Sequence, residues 1–214
     1  RVLFRSFMKK NIISIIIVCL SFLTSIILYQ YLPEEIPIQW SGNKPAAIVS
    51  KPLTIFIIPV VMLIYYLTFY MLTIKSTQKN KALLFLASNN MLILLYILQL
   101  STLLISLGYE VNIDLIIGLG VGIFLIIGGN SMQLAEQNHL IGLRTPWTLK
   151  DETVWKLGNR FASKVLVVCG FIIAVLSFFT GEYIILIMIV LVLLALVIST
   201  LASYHYYKKL NGSR

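Results

Sequence analysis

Six long runs of apolar residues, separated by shorter polar stretches, dominate the hydrophobic pattern of this 214-residue chain. A helix that crosses the hydrocarbon core of a bilayer needs about 20 predominantly apolar residues. The runs approach or exceed that length, and the fourth, which is the shortest, can extend to Met132. The pattern predicts transmembrane helices over residues 11–32, 52–74, 82–107, 113–129, 161–179 and 183–207.

The composition indicates that lipid surrounds much of the surface of this chain. Hydrophobic residues make up 59% of it, charged residues only 12%, and the mean hydropathy is +0.93. A water-soluble domain carries about 25% charged residues. The predicted fold class is therefore an all-α polytopic membrane protein with six transmembrane helices. Cys19 and Cys169 both lie inside apolar runs and predict no disulfide framework.

Basic residues fall almost entirely on one side of the predicted membrane. Fifteen of the 17 Lys and Arg residues lie in the two termini, in the second and fourth connections or, for Lys164, just inside the span that follows, whereas Lys44 and Lys51 lie opposite. Because cytoplasmic segments are rich in Lys and Arg, both termini are predicted to be cytoplasmic. The net charge of +9 then reflects this topology and the anionic lipids that the basic segments face, so we predict no direct binding of nucleic acid. Met8 resembles a natural start, so residues 1–7 are interpreted as an upstream extension.

The predicted spans carry little chemistry. No Asp, Glu, Lys or Arg lies in the middle of a span, although ion-coupled carriers usually place such residues there. Gln99, Ser101 and Thr102 form the deepest polar cluster and are expected to hydrogen-bond between helices. Glu136 and His139 have the spacing of half a di-iron motif, but the sequence supplies no second half. We therefore predict no catalytic residues, no metal, no cofactor and no enzymatic activity.

One small-residue motif indicates close helix packing. Gly118 and Gly122 are four residues apart in the fourth run, so they share one helix face. Two small residues at this spacing let a neighbouring backbone approach closely. The predicted contact can lie within the monomer or between protomers.

The first long connection, residues 33–51, contains three prolines and a glycine that forbid a regular helix. On the predicted topology this connection is extracellular. Ile36 and Trp40 give it an apolar component that can lie on the membrane surface. It is interpreted either as a plain interfacial connection or as a contact surface for a molecule that arrives from outside.

The second long connection, residues 130–160, is predicted to be cytoplasmic. Thr148 precedes Asp151 at the spacing of a helix cap. This predicts a short helix over about residues 149–159, followed by the fifth span.

Two tryptophans and several cations stand out in the same connection. Trp147 and Trp155 are expected at the membrane interface, with Arg144 and Arg160 beside lipid phosphates. The alternative interpretation is a docking surface for a protein, since long connections in compact proteins are often functional.

The first long connection resembles a bacterial membrane domain of unknown function, DUF1648. That domain's pattern is a Leu-Pro pair, two variable residues, an Ile-Pro pair, a histidine followed by an aromatic residue, and a glycine. Gln39 stands where the histidine is usual, so no chemistry based on that histidine is expected. The matching residues include Pro33, Pro37 and Gly42.

The second long connection resembles the C-terminal signature of the SdpI family of bacterial membrane proteins. Its specific part is a Gly-x-Arg-Thr-Pro-Trp-Thr run. The matching residues are Asn130, Asn138, Gly142, Arg144, Thr145, Pro146, Trp147 and Asn159.

The two resemblances together imply the organisation of nearly the whole chain. Residues 1–10 are a cytoplasmic N-terminus. Residues 11–74 are a DUF1648-like helical hairpin with an extracellular loop at 33–51. Residues 75–214 are an SdpI-like four-helix region with its cytoplasmic loop at 130–160.

The SdpI resemblance implies two activities in a bacterial plasma membrane. One is immunity of the producing cell to its own secreted, membrane-active sporulation-delaying peptide toxin. The other is signalling, in which toxin engagement lets the membrane protein hold an ArsR-type winged-helix autorepressor at the membrane, away from its operator. The alternative is a transporter of a small molecule or peptide.

On this resemblance the contact candidates divide by side of the membrane. The toxin-contact candidates are Glu34, Glu35, Ile36 and Trp40. The repressor-docking candidates are Arg144, Trp147, Lys150, Trp155, Lys156 and Arg160.

Overall fold

The computed structural model describes residues 2–41, 44–74 and 76–211, with the side chains of 12–36, 47, 49–74, 76–77 and 80–211. Gly42 lies outside the described residues, as do the side chains of Pro37 and Trp40.

The described residues form seven α-helices, six of them long and apolar enough to cross a membrane. This confirms the predicted all-α polytopic fold class. The helices are α1 Val2–Leu28, α2 Lys51–Ile74, α3 Gln78–Ser106, α4 Ile113–Met132, α5 Pro146–Lys150, α6 Glu152–Leu176 and α7 Ile184–Asn211. Short 3₁₀ turns at Tyr29–Tyr31 and Gly181–Tyr183 follow α1 and precede α7.

Successive long helices alternate in direction, so their connections gather at two ends of the bundle. We call one the hairpin end, which holds residues 29–41, 44–50, 107–112 and 177–183. The other is the loop end, which holds residues 76–77, the 133–151 loop and the C-terminus of α7.

The first long connection is an antiparallel β-hairpin, which the sequence analysis did not predict. Strand β1, Glu35–Ser41, pairs with β2, Lys44–Ser50, and the register shifts after Pro37. Proline removes a ladder hydrogen bond, which a two-stranded ribbon tolerates because both strands have a free edge. Ile36 is fully buried and packs with Leu32, Ile55 and Leu103, so the base of the hairpin is anchored in the bundle.

The predicted short helix over residues 149–159 is wrong. α5 covers Pro146–Lys150, and α6 begins at Glu152 and continues without a break to Leu176. The reason is the placement of the caps. Thr145, rather than Thr148, caps α5, while Asp151 accepts hydrogen bonds from the amides of Thr153 and Val154 and starts α6. The fifth span therefore begins nine residues earlier than residue 161.

The six long helices divide into two halves. α1, α2 and α3 pack on one another, and α4, α6 and α7 do the same, with the closest packing between α4 and α6. Among the described helices of the two halves, only α3 and α4 pack extensively across the junction. We call this junction the α3–α4 seam.

Polar side chains hold the N-terminal half together. Gln99 of α3 accepts a hydrogen bond from Ser21 of α1 and donates to Ser25 at 2.9 Å. Ser25 in turn donates to the Ile55 carbonyl of α2 at 2.9 Å. Gln99 thus bonds between helices as expected, but Ser101 and Thr102 do not, because they donate to carbonyls of their own helix, α3.

Glycines hold the C-terminal half together. Gly122 of α4 lies against Gly170 of α6, and a Cβ atom added to either would stand 2.5–2.7 Å from the other's carbonyl oxygen. A Cβ atom added to Gly118 would stand too close to the Ser177 side chain, just after α6, and to the Ile184 side chain of α7. Gly118 and Gly122 therefore make contacts within the monomer, one of the two alternatives left open above.

Candidate functional site

The hairpin end is organised around Lys51 at the start of α2. Its side chain is 7% exposed, and its ammonium lies 3.3 Å from a Glu34 carboxylate oxygen and 4.9 Å from the centre of the Tyr29 ring. The Lys51 amide also donates to the Glu34 carbonyl at 2.8 Å. These contacts join the two ends of the hairpin and fix where it leaves the bundle.

The toxin-contact candidates have different environments in this structure. Glu34 is engaged with Lys51 but its side chain is 88% exposed, and Glu35 is also exposed. Ile36 is fully buried and offers no surface to a partner in this conformation. Its role here is to anchor the hairpin. Among the toxin-contact candidates whose side chains are described, Glu34 and Glu35 are therefore the ones that a partner can reach.

The 133–151 loop at the other end is built on its own polar side chains. Asn138 accepts hydrogen bonds from the amides of Leu140 and Ile141 and donates to the Ile141 carbonyl, which closes a turn. Asn159 of α6 accepts from the Leu143 amide at 2.7 Å. The loop is thus held in one conformation against α6.

Gly142 is required by this arrangement. Its φ of 106° lies in the left-handed region that favours glycine. A Cβ atom there would also stand 2.5 Å from the Asn159 side-chain oxygen and 3.1 Å from the Trp155 ring. The motif residues Asn138, Gly142 and Asn159 are therefore parts of one packed unit.

The two tryptophans of this region both donate hydrogen bonds within the protein, and one of them is fully buried. Trp155 is 1% exposed, and its indole N–H donates to the Ala135 carbonyl at 2.8 Å. Trp147 is half-buried and donates to the Ser203 hydroxyl of α7 at 2.9 Å. The expectation that Trp155 rests at the membrane interface is wrong, because α6 begins early enough to turn this side chain inward. Trp155 also offers no surface for docking in this conformation.

The four cationic docking candidates are all exposed at the loop end. Lys156 is paired with Glu152 at 2.8 Å, and Arg144 donates to the His139 carbonyl at 2.6 Å. We call the set the cationic surface, and its members are Arg144, Lys150, Lys156 and Arg160.

The sequence analysis missed that the C-terminus of α7 adjoins this surface. Trp147 packs edge-on against Tyr204, with ring centres 5.2 Å apart. Lys208 and Lys209, which are exposed, lie one turn further along α7. The aromatic residues at the end of the last span, Tyr204, Tyr206 and Tyr207, were the available signal in the sequence.

Two cavities lie along the α3–α4 seam. The larger, about 200 Å³, is lined by residues of α3, α4, α6 and the 133–151 loop, including Leu83, Gly128 and Gly142. The smaller, about 80 Å³, lies between α3 and α4 around Asn90 and Gly120. Both linings are mainly apolar.

The side chains described here assemble no metal centre. Among residues with described side chains, no group of three or more His, Cys, Asp and Glu could hold a metal ion. The Glu136 carboxylate instead accepts a hydrogen bond from Thr77 at 2.9 Å. The arrangement as a whole presents surfaces at its two ends and a packed helical bundle between them.

These features define a multi-pass helical membrane protein with a structured surface at each end. Residues 135–203 match the SdpI/YfhL protein family, and residues 16–63 match DUF1648, a domain of unknown function. Both resemblances described above are thereby confirmed. Asn130 lies just outside the matched SdpI region. No solved structure matches the chain. The family supports a membrane immunity-type protein in general.

Proposed function

We propose that this protein gives its cell resistance to a secreted peptide toxin and acts as a signal-transducing receptor. On this proposal the hairpin end faces outward and both termini face the cytoplasm, as the 15-to-2 division of basic residues favours. Toxin engages the hairpin end. The loop end then holds an ArsR-type winged-helix autorepressor at the membrane, away from its operator.

The observation that carries the proposal is the cationic surface formed by the 133–151 loop and the first turns of α6. Trp155, Thr148 and Asn159 are buried beneath it, while its Lys and Arg side chains remain exposed. A preorganised surface loses little conformational entropy when a partner binds. Cations that face the cytoplasm attract a protein with a complementary acidic patch, and salt should weaken that attraction.

The hairpin end supports the other half of the proposal. Its base is fixed by Ile36 and Lys51, whereas Glu34 and Glu35 point carboxylates into the surroundings. An anchored acidic projection is suited to meeting a molecule that arrives at the outer membrane surface. Contact there can be transmitted directly to α1 and α2, which the hairpin joins.

Survival and repressor recruitment test the proposal together. Cells that express the protein are exposed to purified toxin, while a fluorescent repressor reports membrane localisation. We expect survival and a toxin-dependent move of the repressor to the membrane. Glu35→Lys should reduce both outputs, whereas Glu110→Lys, an exposed charge reversal elsewhere at the hairpin end, should reduce neither.

A flux measurement separates the alternative function. Transport of labelled toxin or solute by vesicles that contain the purified protein, together with absent repressor recruitment, would favour the transporter. The cavity of about 200 Å³ in the α3–α4 seam is the feature that such a transporter would use.

A further inference from the structure

The start of α3 is fastened to the 133–151 loop by the side chains of Asn80 and Thr77. Asn80 of α3 donates to the Glu136 carbonyl at 3.4 Å and accepts from the Glu136 amide at 3.1 Å. Its side chain thus bonds both backbone groups of one residue in the other half. Thr77, which caps α3, adds a hydrogen bond to the Glu136 carboxylate. We call these contacts the Asn80 clasp.

The clasp is nearly closed to solvent. Asn80 is 3% exposed, although it lies in the first turn of α3 at the end of the bundle. A buried amide that satisfies backbone donors and acceptors fixes their position, since leaving them unpaired costs about 1–3 kcal/mol. Glu136 is therefore positioned by α3 as well as by Asn138 of its own half.

The neighbouring part of the seam cannot replace the clasp. Leu83 and Ala87 lie three and seven residues after Asn80 on α3, and both line the 200 Å³ cavity. Ile141 and Gly142 of the 133–151 loop line its opposite side. Close-packed interiors transmit strain, whereas a void does not. At the loop end, displacement of α3 reaches the loop through hydrogen bonds to Glu136.

From Glu136 the contacts continue into the unit that carries the cationic surface. The Asn138 side chain donates to the Glu136 carbonyl, and the preceding Ala135 carbonyl accepts from Trp155. Trp155 packs beneath Gly142, and Asn159 holds Leu143. Hydrogen bonds on either side of the Ala135–Glu136 peptide bond therefore connect α3 with α6.

We propose that Asn80 is the positioning residue that couples the hairpin-bearing half to the 133–151 loop. The inference rests on the proposed function and deepens it, because it names the link by which toxin engagement would alter the repressor-docking surface. α3 is the element through which this happens, since Gln99 bonds α1, where Ser25 in turn bonds α2, and Asn80 bonds the loop. Immunity itself does not require the link.

Asn80→Ala tests the coupling in cells. At normal abundance, cells with this variant should still survive on toxin. Toxin-dependent repressor recruitment should fall at least about tenfold, a change that corresponds to about 1.4 kcal/mol. Gln133→Ala is the matched control, because its amide donates only to Asn130 within α4. Full toxin-dependent recruitment by Asn80→Ala would overturn the coupling while leaving the proposed function intact.

A second measurement decides the coupling even if the repressor is never recruited. Hydrogen exchange is followed in the full-length purified protein after Lys51→Met, which removes the ion pair at the hairpin base. Exchange at residues 136–143 should become faster than in the wild type. In the Asn80→Ala background, the hairpin change should add nothing further. The link would be refuted if Lys51→Met accelerated exchange at residues 136–143 equally with and without Asn80. It would also be refuted if Lys51→Met changed exchange there in neither background.

Discussion

The two halves of this bundle solve the same packing problem in different ways. In the N-terminal half, Gln99 joins Ser21 and Ser25 by hydrogen bonds between helices. In the C-terminal half, Gly122 and Gly170 let two backbones touch, with no side chain between them. Lipid is as apolar as leucine, so neither half can rely on the hydrophobic effect to bring helices together. The N-terminal half uses hydrogen bonds between side chains, and the C-terminal half uses close packing of backbones.

The difference matches the surface that each half carries. A backbone contact depends on shape and tolerates little displacement, which suits the half that holds the folded 133–151 loop. Hydrogen bonds between flexible side chains can exchange partners, which suits the half that carries the hairpin. The comparison suggests that the C-terminal half is the rigid support and the N-terminal half the part that responds.

The largest predicted effect is on the glycine contact. Gly122→Ala places a methyl group 2.7 Å from the Gly170 carbonyl oxygen and 2.9 Å from the Ala174 methyl group. We expect a loss of about 2–3 kcal/mol, measured as a lower unfolding temperature in detergent. Gly128→Ala is the matched control, because nothing lies within 4 Å of its added methyl group. Equal unfolding temperatures for the two variants would show that α4 and α6 do not depend on this contact.

A smaller effect is predicted for the hydrogen bonds of the N-terminal half. Gln99→Leu leaves the Ser21 and Ser25 hydroxyls without their partner on α3 and should cost about 1 kcal/mol. Thr102→Val is the control, since its hydroxyl bonds only the Leu98 carbonyl of its own helix. Thermal unfolding in the same detergent compares them. If Thr102→Val proves as damaging as Gln99→Leu, the bonds between helices are not what stabilises this half.

The smallest predicted effect concerns the ion pair at the hairpin base. Lys51→Met keeps the buried stem but removes the charge that faces Glu34, which is itself largely exposed. We expect a loss below about 1 kcal/mol, visible as faster hydrogen exchange over residues 35–50 with little change in α6 and α7. Lys156→Met removes the exposed pair with Glu152 and should cost no more than about 0.5 kcal/mol. If the hairpin amides exchange as slowly in Lys51→Met as in the wild type, the hairpin is held by Ile36 and not by the ion pair.

The sequence predicts the spans well and the ends of the bundle poorly, for physical reasons. Apolar runs of membrane length identify helices because lipid leaves few alternatives for the backbone. The start of α6 instead depends on whether Asp151 or a residue further on caps the helix, a choice that local spacing does not decide. The inward position of Trp155 follows from that choice.

Contacts between residues that are distant in the sequence are a second kind of feature that could not be predicted. The Asn80 clasp joins residues 56 positions apart, and nothing near Asn80 marks it. The hairpin was hidden for a different reason, since prolines in residues 33–45 argue against regular structure. They do exclude a helix there, but a two-stranded ribbon accepts Pro37 at a register shift.

The central claim is that the hairpin end meets toxin and the loop end holds repressor. Photo-crosslinking from single positions tests it most directly, with a crosslinking residue placed at Glu35 or at Lys150, both exposed. In cells exposed to toxin, the account predicts that position 35 captures toxin and position 150 captures repressor. Capture of toxin at position 150, or of repressor at position 35, would contradict the account.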